Sequence, residues 1–136
     1  MAKSVIPFLV KGVHMTINEA LALVDEIRPN QYDDNVKIQW LSKLDAKIFK
    51  EVVSTHEDAA IDEFNGYTVN DMDAQLLVDD AYADLYNDYL FAMIDYSNQE
   101  LDSYNNAMLM FEAKYNDFRC FYNQNHMPKP QKWKFF

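Results

Sequence analysis

The chain has 136 residues, a net charge of −10 and an apolar fraction of 49%. That length suits a single domain. With nine Tyr, nine Phe and two Trp the chain is too apolar for disorder, and no uninterrupted apolar run reaches the roughly 20 residues of a membrane helix. Fifteen Asp or Glu and no Lys or Arg fall between residues 51 and 113. This sign is opposite to what phosphate neutralisation needs, which disfavours tight DNA binding but not a wall that lets duplex DNA pass.

Only two Gly and four Pro occur, so helices can run long, and neither a turn-rich sandwich nor a glycine-rich phosphate loop is available. The expected fold class is all-α: a small bundle of about four helices with a long acidic loop and an extended C-terminal tail. Residues 1–15 read as an N-terminal extension, 16–126 as the helical domain and 127–136 as the tail. Pro7 and Lys11 interrupt the apolar start, and no signal peptide is expected.

Thr16-Ile17-Asn18-Glu19 has the capping-box pattern, in which hydroxyl and carboxylate satisfy each other's backbone N–H groups. A first helix is predicted over 16–28, with Ile17, Ala20, Leu21, Val24 and Ile27 on its apolar stripe and Pro29 ending it. A second is predicted over 34–54, with Val36, Trp40, Leu41, Leu44, Ile48 and Val52 facing inward and Lys37, Lys43, Lys47 and Lys50 off that face. The short link predicts an antiparallel hairpin.

Residues 56–80 lose helical periodicity and carry many carboxylates. A loop of this length serves as a binding or subunit-bridging segment, or else is a poorly ordered acidic insert. Leu76-Leu77-Val78 is its one apolar patch and reads as a buried turn or brief strand. An aromatic seam then runs through Tyr82, Leu85, Tyr89, Met93 and Tyr96, and on through Leu101, Tyr104, Met108, Phe111, Tyr115, Phe118 and Tyr122. A five-residue step in it, with Asn105 and Asn106 as caps, predicts two helices over 80–98 and 104–125. Leu76, Leu77, Val78, Tyr82, Tyr86 and Tyr89 are the candidates for a subunit interface, since tyrosine combines buried area with a polar handle. The alternative for this seam is simply the domain core.

Asp80, Asp84 and Asp88 recur at i, i+4 and i+8 and predict one solvated acidic face, a candidate surface or channel lining. After His126 the composition turns basic and aromatic. Pro128, Lys129, Pro130, Lys132, Trp133, Lys134, Phe135 and Phe136 form an extended, sticky segment that needs a partner to cover it, at a sheet edge or in a pocket.

No catalytic chemistry is expected. His14, His56 and His126 lack metal-ligand spacing, and Asp71-Met72-Asp73 lacks the glycine and glutamate that complete a calcium loop. No nucleophile has a local setting that suggests a triad. Cys120 reads as a buried or half-buried thiol on the last helix. No cofactor or metal is expected.

The sequence resembles the small head-to-tail connector (adaptor) proteins of Gram-positive prophages, over 15–129. The carriers are Met15-Thr16-Ile17-Asn18-Glu19-Ala20-Leu21, Arg28-Pro29-Asn30, Ile38-Gln39-Trp40-Leu41-Ser42-Lys43-Leu44-Asp45 and Thr55-His56-Glu57. They continue with Leu76-Leu77-Val78, residues 82–90, Ile94-Asp95-Tyr96, Tyr104-Asn105-Asn106 and Tyr122-Asn123-Gln124-Asn125-His126-Met127-Pro128. Their order and spacing carry the resemblance. The chain departs from the pattern at Asp79-Asp80-Ala81, where the family has proline, and in its first 14 residues.

The resemblance implies a non-enzymatic bacteriophage virion protein of the neck, assembled in the host cytoplasm. It implies a homo-oligomeric ring of twelve copies around the DNA channel, beneath the portal protein and above a stopper or tail protein. Duplex DNA would pass without sequence-specific binding, and no membrane is involved. The basic aromatic tail would dock on the portal. Two alternatives are a tail-completion or stopper protein of the same particle, and a small acidic, DNA-mimicking inhibitor of a host protein.

Overall fold

The computed structural model describes residues 14–56, 59, 61 and 63–127. Its regular elements, in chain order, are β1 (His14–Thr16), α1 (Ile17–Ile27), α2 (Asp34–Glu51), β2 (Gln75–Asp79), α3 (Asp84–Ser97) and α4 (Leu101–Asn125). Short 3-10 turns lie at Val53–Thr55, Val69–Asp71 and Asp80–Tyr82. The architecture is a small, mainly helical bundle, as expected, with a two-stranded antiparallel sheet added.

Helix α1 begins where the capping box placed it. Thr16 Oγ1 accepts the Glu19 N–H at 3.2 Å, and Glu19 Oε1 accepts the Thr16 N–H at 2.9 Å. Ile17, Ala20, Leu21 and Val24 are buried, but Ile27 is largely exposed. On α2 the stripe is Ile38, Leu41, Leu44 and Ile48, while Val36 lies outside it. Lys37, expected at the surface, is buried: its ammonium meets Asp25 at 2.6 Å and Asp34 at 3.7 Å. The α1 and α2 stripes converge on α3 as well as on each other, so the pair is not a self-contained hairpin.

The segment after α2 is less irregular than its composition suggests. Thr68 and Asp71 form a second, small capping box that opens the 3-10 turn at Val69–Asp71. Strand β2 then alternates inside and outside, burying Leu76 and Val78, and pairs with β1 in the register His14↔Asp79 and Thr16↔Gln75. His14 and Met15 therefore belong to the folded body, not to the extension. His14 Nδ1 lies 2.6 Å from the Leu76 carbonyl, and its Nε2 lies 3.3 Å from Asp79.

Helices α3 and α4 make the most extensive contact and run antiparallel. Ring pairs Tyr96–Tyr104, Tyr89–Phe111 and Tyr82–Phe118 step down one helix and up the other. Helix α3 starts at Asp84 instead of 80, because 80–82 forms a 3-10 turn. Helix α4 starts at Leu101 and is roughly 37 Å long. Asn105 and Asn106 are exposed positions in its second turn and cap nothing.

The reversal between the two helices is a Schellman motif. The Gln99 N–H donates to the Tyr96 carbonyl at 3.0 Å and the Glu100 N–H to the Asp95 carbonyl at 2.8 Å. The motif requires a left-handed residue, and Gln99 supplies it at φ 63° with a Cβ that disfavours that region. Gln99→Gly removes this strain and raises stability by about 0.5–1 kcal/mol. A rise in the thermal midpoint with unchanged helicity by circular dichroism is the expected readout.

Candidate functional site

Among the described residues, the buried carboxylate with the most hydrogen-bond donors is Asp45 on α2. It is fully buried, and three donors converge on it. The Tyr67 hydroxyl donates to Oδ2 at 2.5 Å, the Leu77 N–H to Oδ2 at 3.1 Å and the Tyr86 hydroxyl to Oδ1 at 2.7 Å. Tyr86 in turn accepts the Val78 N–H at 2.9 Å. One carboxylate thus fastens the 63–68 segment, β2 and α3 to α2.

Gly66 makes this possible. Its φ is 89°, and a Cβ there would lie 2.9 Å from Ser42 Oγ, the same oxygen that accepts the Tyr67 N–H at 3.1 Å. Backbone conformation and close approach both require glycine at this point. Gly66→Ala should cost about 1–2 kcal/mol. In a hydrogen-exchange experiment the loss should appear first at residues 67–78.

Burial pushes the Asp45 carboxyl up from 3.8 to about 6, against the opposing pull of its hydrogen bonds to Tyr67, Tyr86 and Leu77 and the nearby His14 charge. Burial, reinforced by the Asp45 charge, holds the Tyr67 and Tyr86 hydroxyls well above their usual range, so both stay donors.

The subunit-interface candidates divide. Leu76, Val78 and Tyr86 are core side chains of this chain, unavailable to a neighbour. Leu77, Tyr82 and Tyr89 are partly buried and pack on the core edge. The acidic candidates divide as well. Asp80 and Asp84 are exposed, whereas Asp88 is buried and its carboxylate meets Lys114 at 2.6 Å. The tail candidates Pro128, Lys129, Pro130, Lys132, Trp133, Lys134, Phe135 and Phe136 lie outside the described residues.

Two further ion pairs tie helices together. Arg28 meets the buried Asp95 at 2.6 Å and lies 4.8 Å over the Phe91 ring, and Lys37 meets Asp25. The shallow groove of about 220 Å³ beside Arg28, Asp88, Phe91 and Met110 has its charges already engaged in these internal pairs. His56 and His126, 70 residues apart in sequence, are gathered on Tyr122, with ring centroids 4.7 Å and 3.8 Å from it. Among the described residues no group of three His, Cys, Asp or Glu could hold a metal ion. Cys120, expected buried or half-buried, is exposed.

Four cations remain outside these internal pairs among the described residues: Lys43, Lys47, Lys50 and Arg119. Lys47 and Arg119 both lie against the Tyr115 ring, at 5.7 Å and 5.6 Å, and the Tyr115 hydroxyl donates to Glu51 at 2.7 Å. The three lysines are exposed and follow i, i+4, i+7 spacing on α2. Sequence periodicity placed them off the core; that Lys47 meets Arg119 across one tyrosine ring was not legible.

Fold and geometry together define a small helical protein with a polar core node and segregated surface charge. No protein-family model matches the chain, and neither does any curated protein or solved structure.

The raised Asp45 pKa fixes the sign of a pH effect. The fold favours the protonated acid, so stability present below about pH 4 is lost as pH rises through about 6. Asp45→Asn removes this ionisation. The stability difference, wild type minus variant, should fall by ~2–3 kcal/mol between pH 4 and 7 in urea melts. A flat difference across that window would show that Asp45 titrates as an ordinary carboxylate.

Proposed function

We propose that the chain is a structural subunit of a tailed-bacteriophage head-to-tail connector. It acts as a non-enzymatic adaptor that assembles as a ring beneath the portal, around the DNA channel, and joins it to the stopper or tail protein. What carries this reading is the resemblance of the ordered segments over 15–129 to the adaptor family.

Those segments have clear physical work in the fold. Ile17, Ala20 and Leu21 lie in the core at the start of α1, and Leu41, Leu44 and Asp45 form the inner face of α2. Leu76 and Val78 are the buried half of β2, and Asp95 receives Arg28. A resemblance resting on such positions bears on the fold more than on the surface, and the surfaces give separate support. Tyr96, Leu101, Leu109 and Met110 are more than half exposed, which suits a chain that buries apolar area against neighbours. Exposed carboxylates such as Glu100 and Asp102 suit a wall that duplex DNA passes without adhering.

In this reading residues 127–136 dock on the portal, their lysines and aromatics supplying charge and buried area. Removing residues 127–136 should abolish co-sedimentation with purified portal and leave the helical circular-dichroism signal intact. Binding that survives the truncation would refute the tail assignment. Electron microscopy of the mixture separates the alternatives. A ring directly under the portal fits an adaptor, a ring at a lower level fits a stopper, and a monomer that ignores the portal fits an acidic inhibitor.

A further inference from the structure

We infer that copies of this chain associate head to tail, the basic flank of one, built from α2 and Arg119, seating on the acidic approach to α3 of the next. The inference rests on the ring reading above and names the surfaces that would form its repeating contact.

Three observations lead to it. Arg28, Lys37 and Lys114 are consumed by carboxylates inside the chain, and the other four cations among the described residues gather on one flank. Lys43, Lys47 and Lys50 span roughly 10 Å of exposed α2 surface, with Arg119 across the Tyr115 ring. Arginine and tyrosine are also the residue types that interfaces favour. Secondly, Asp80 and Asp84 are exposed and form no ion pair among the described residues.

The third observation is their placement. Tyr82, between these two aspartates, packs on Phe121 at 4.9 Å, and Asp88 one turn further along α3 takes Lys114. Arg119 and Phe121 are two residues apart on α4, so their side chains leave the helix roughly 200° apart. Tyr82 also reaches Phe118 at 6.2 Å, so the acidic approach to α3 and the Arg119 flank occupy different faces of α4. Two distinct surfaces of opposite charge on one chain suit a contact repeated from copy to copy. They define a heterologous contact, which propagates into a ring or a filament.

A second copy is favoured over nucleic acid as the occupant. Four cations on a body of net charge −10 offer few phosphate contacts against a repulsive background, whereas any copy of the chain presents matched carboxylates.

The test is sedimentation velocity of the full chain across concentration and salt, with three variants. Lys43→Glu/Lys47→Glu/Lys50→Glu and Asp80→Lys/Asp84→Lys should each lower the association constant roughly 100-fold. Mixed in equal amounts, the two should associate again, because the intact acidic flank of one meets the intact basic flank of the other. A single chain carrying all five reversals should also recover, which controls for folding damage. High salt should weaken the wild-type contact.

Association unaffected by either reversal overturns this interface and leaves the ring reading standing. A wild-type chain that stays monomeric both alone and with portal removes ring and interface together. Duplex DNA binding that the lysine reversals abolish, with association unchanged, would reassign the patch to nucleic acid.

Discussion

A carboxylate taken out of water must be given hydrogen-bond donors, or its burial costs several kcal/mol. Asp45 is fully buried, and its donors come from three separate places in the chain. The organisation of residues 63–86 follows from that requirement. Tyr67 reaches the carboxylate only because Gly66 turns the backbone at the surface of α2. Leu77 and Val78 present their N–H groups to Asp45 and Tyr86, which places β2 between α2 and α3 and leaves β1 to pair with it. Apolar burial supplies the bulk of the stability, but it is non-directional, and this polar node selects one arrangement of a segment with little helical periodicity.

The helices were legible because amphipathic periodicity is a local signal. The capping box at Thr16, the stripe through Leu41, Leu44 and Ile48, and the seam through Phe111, Tyr115, Phe118 and Tyr122 all appear where spacing put them. Buried charge was not legible. Lys37, Leu41 and Asp45 are four residues apart, and Asp88 and Asp95 are seven apart with Ala92 between them, so each charge falls on the apolar register of its own helix. That coincidence was the available signal. Polarity argued against it, and the deciding partners, such as Tyr86 for Asp45 and Arg28 for Asp95, lie 41 and 67 residues away.

Subunit-interface residues were harder still to read. A tyrosine seam fits core and interface equally well, and the fold assigns Tyr86 to the core while leaving Tyr82 and Tyr89 at its edge. The regular spacing of Asp80, Asp84 and Asp88 suggested one face, but the first lies in a 3-10 turn and the third is buried. Helix register turns Asp88 inward, and Lys114 from α4 pairs with it there. Internal pairing likewise occupies the charges of Arg28 and Lys37 and sharpens the contrast between the two flanks.

In the proposed head-to-tail association, that contrast bears on how growth is limited. Large apolar faces complementary to each other on one chain would drive uncontrolled head-to-tail growth, since a heterologous contact has no built-in end. Charged flanks behave differently. Exposed ion pairs contribute little each, are screened at physiological salt, and influence orientation and encounter more than affinity. An interface built on Lys43, Lys47, Lys50 and Arg119 against Asp80 and Asp84 would hold measurably but modestly between two isolated copies and strengthen when a template presents many copies side by side, each link raising the effective concentration of the next. Stable assembly then depends on the template, and the chain's strong net negative charge, by opposing association elsewhere on its surface, works in the same direction.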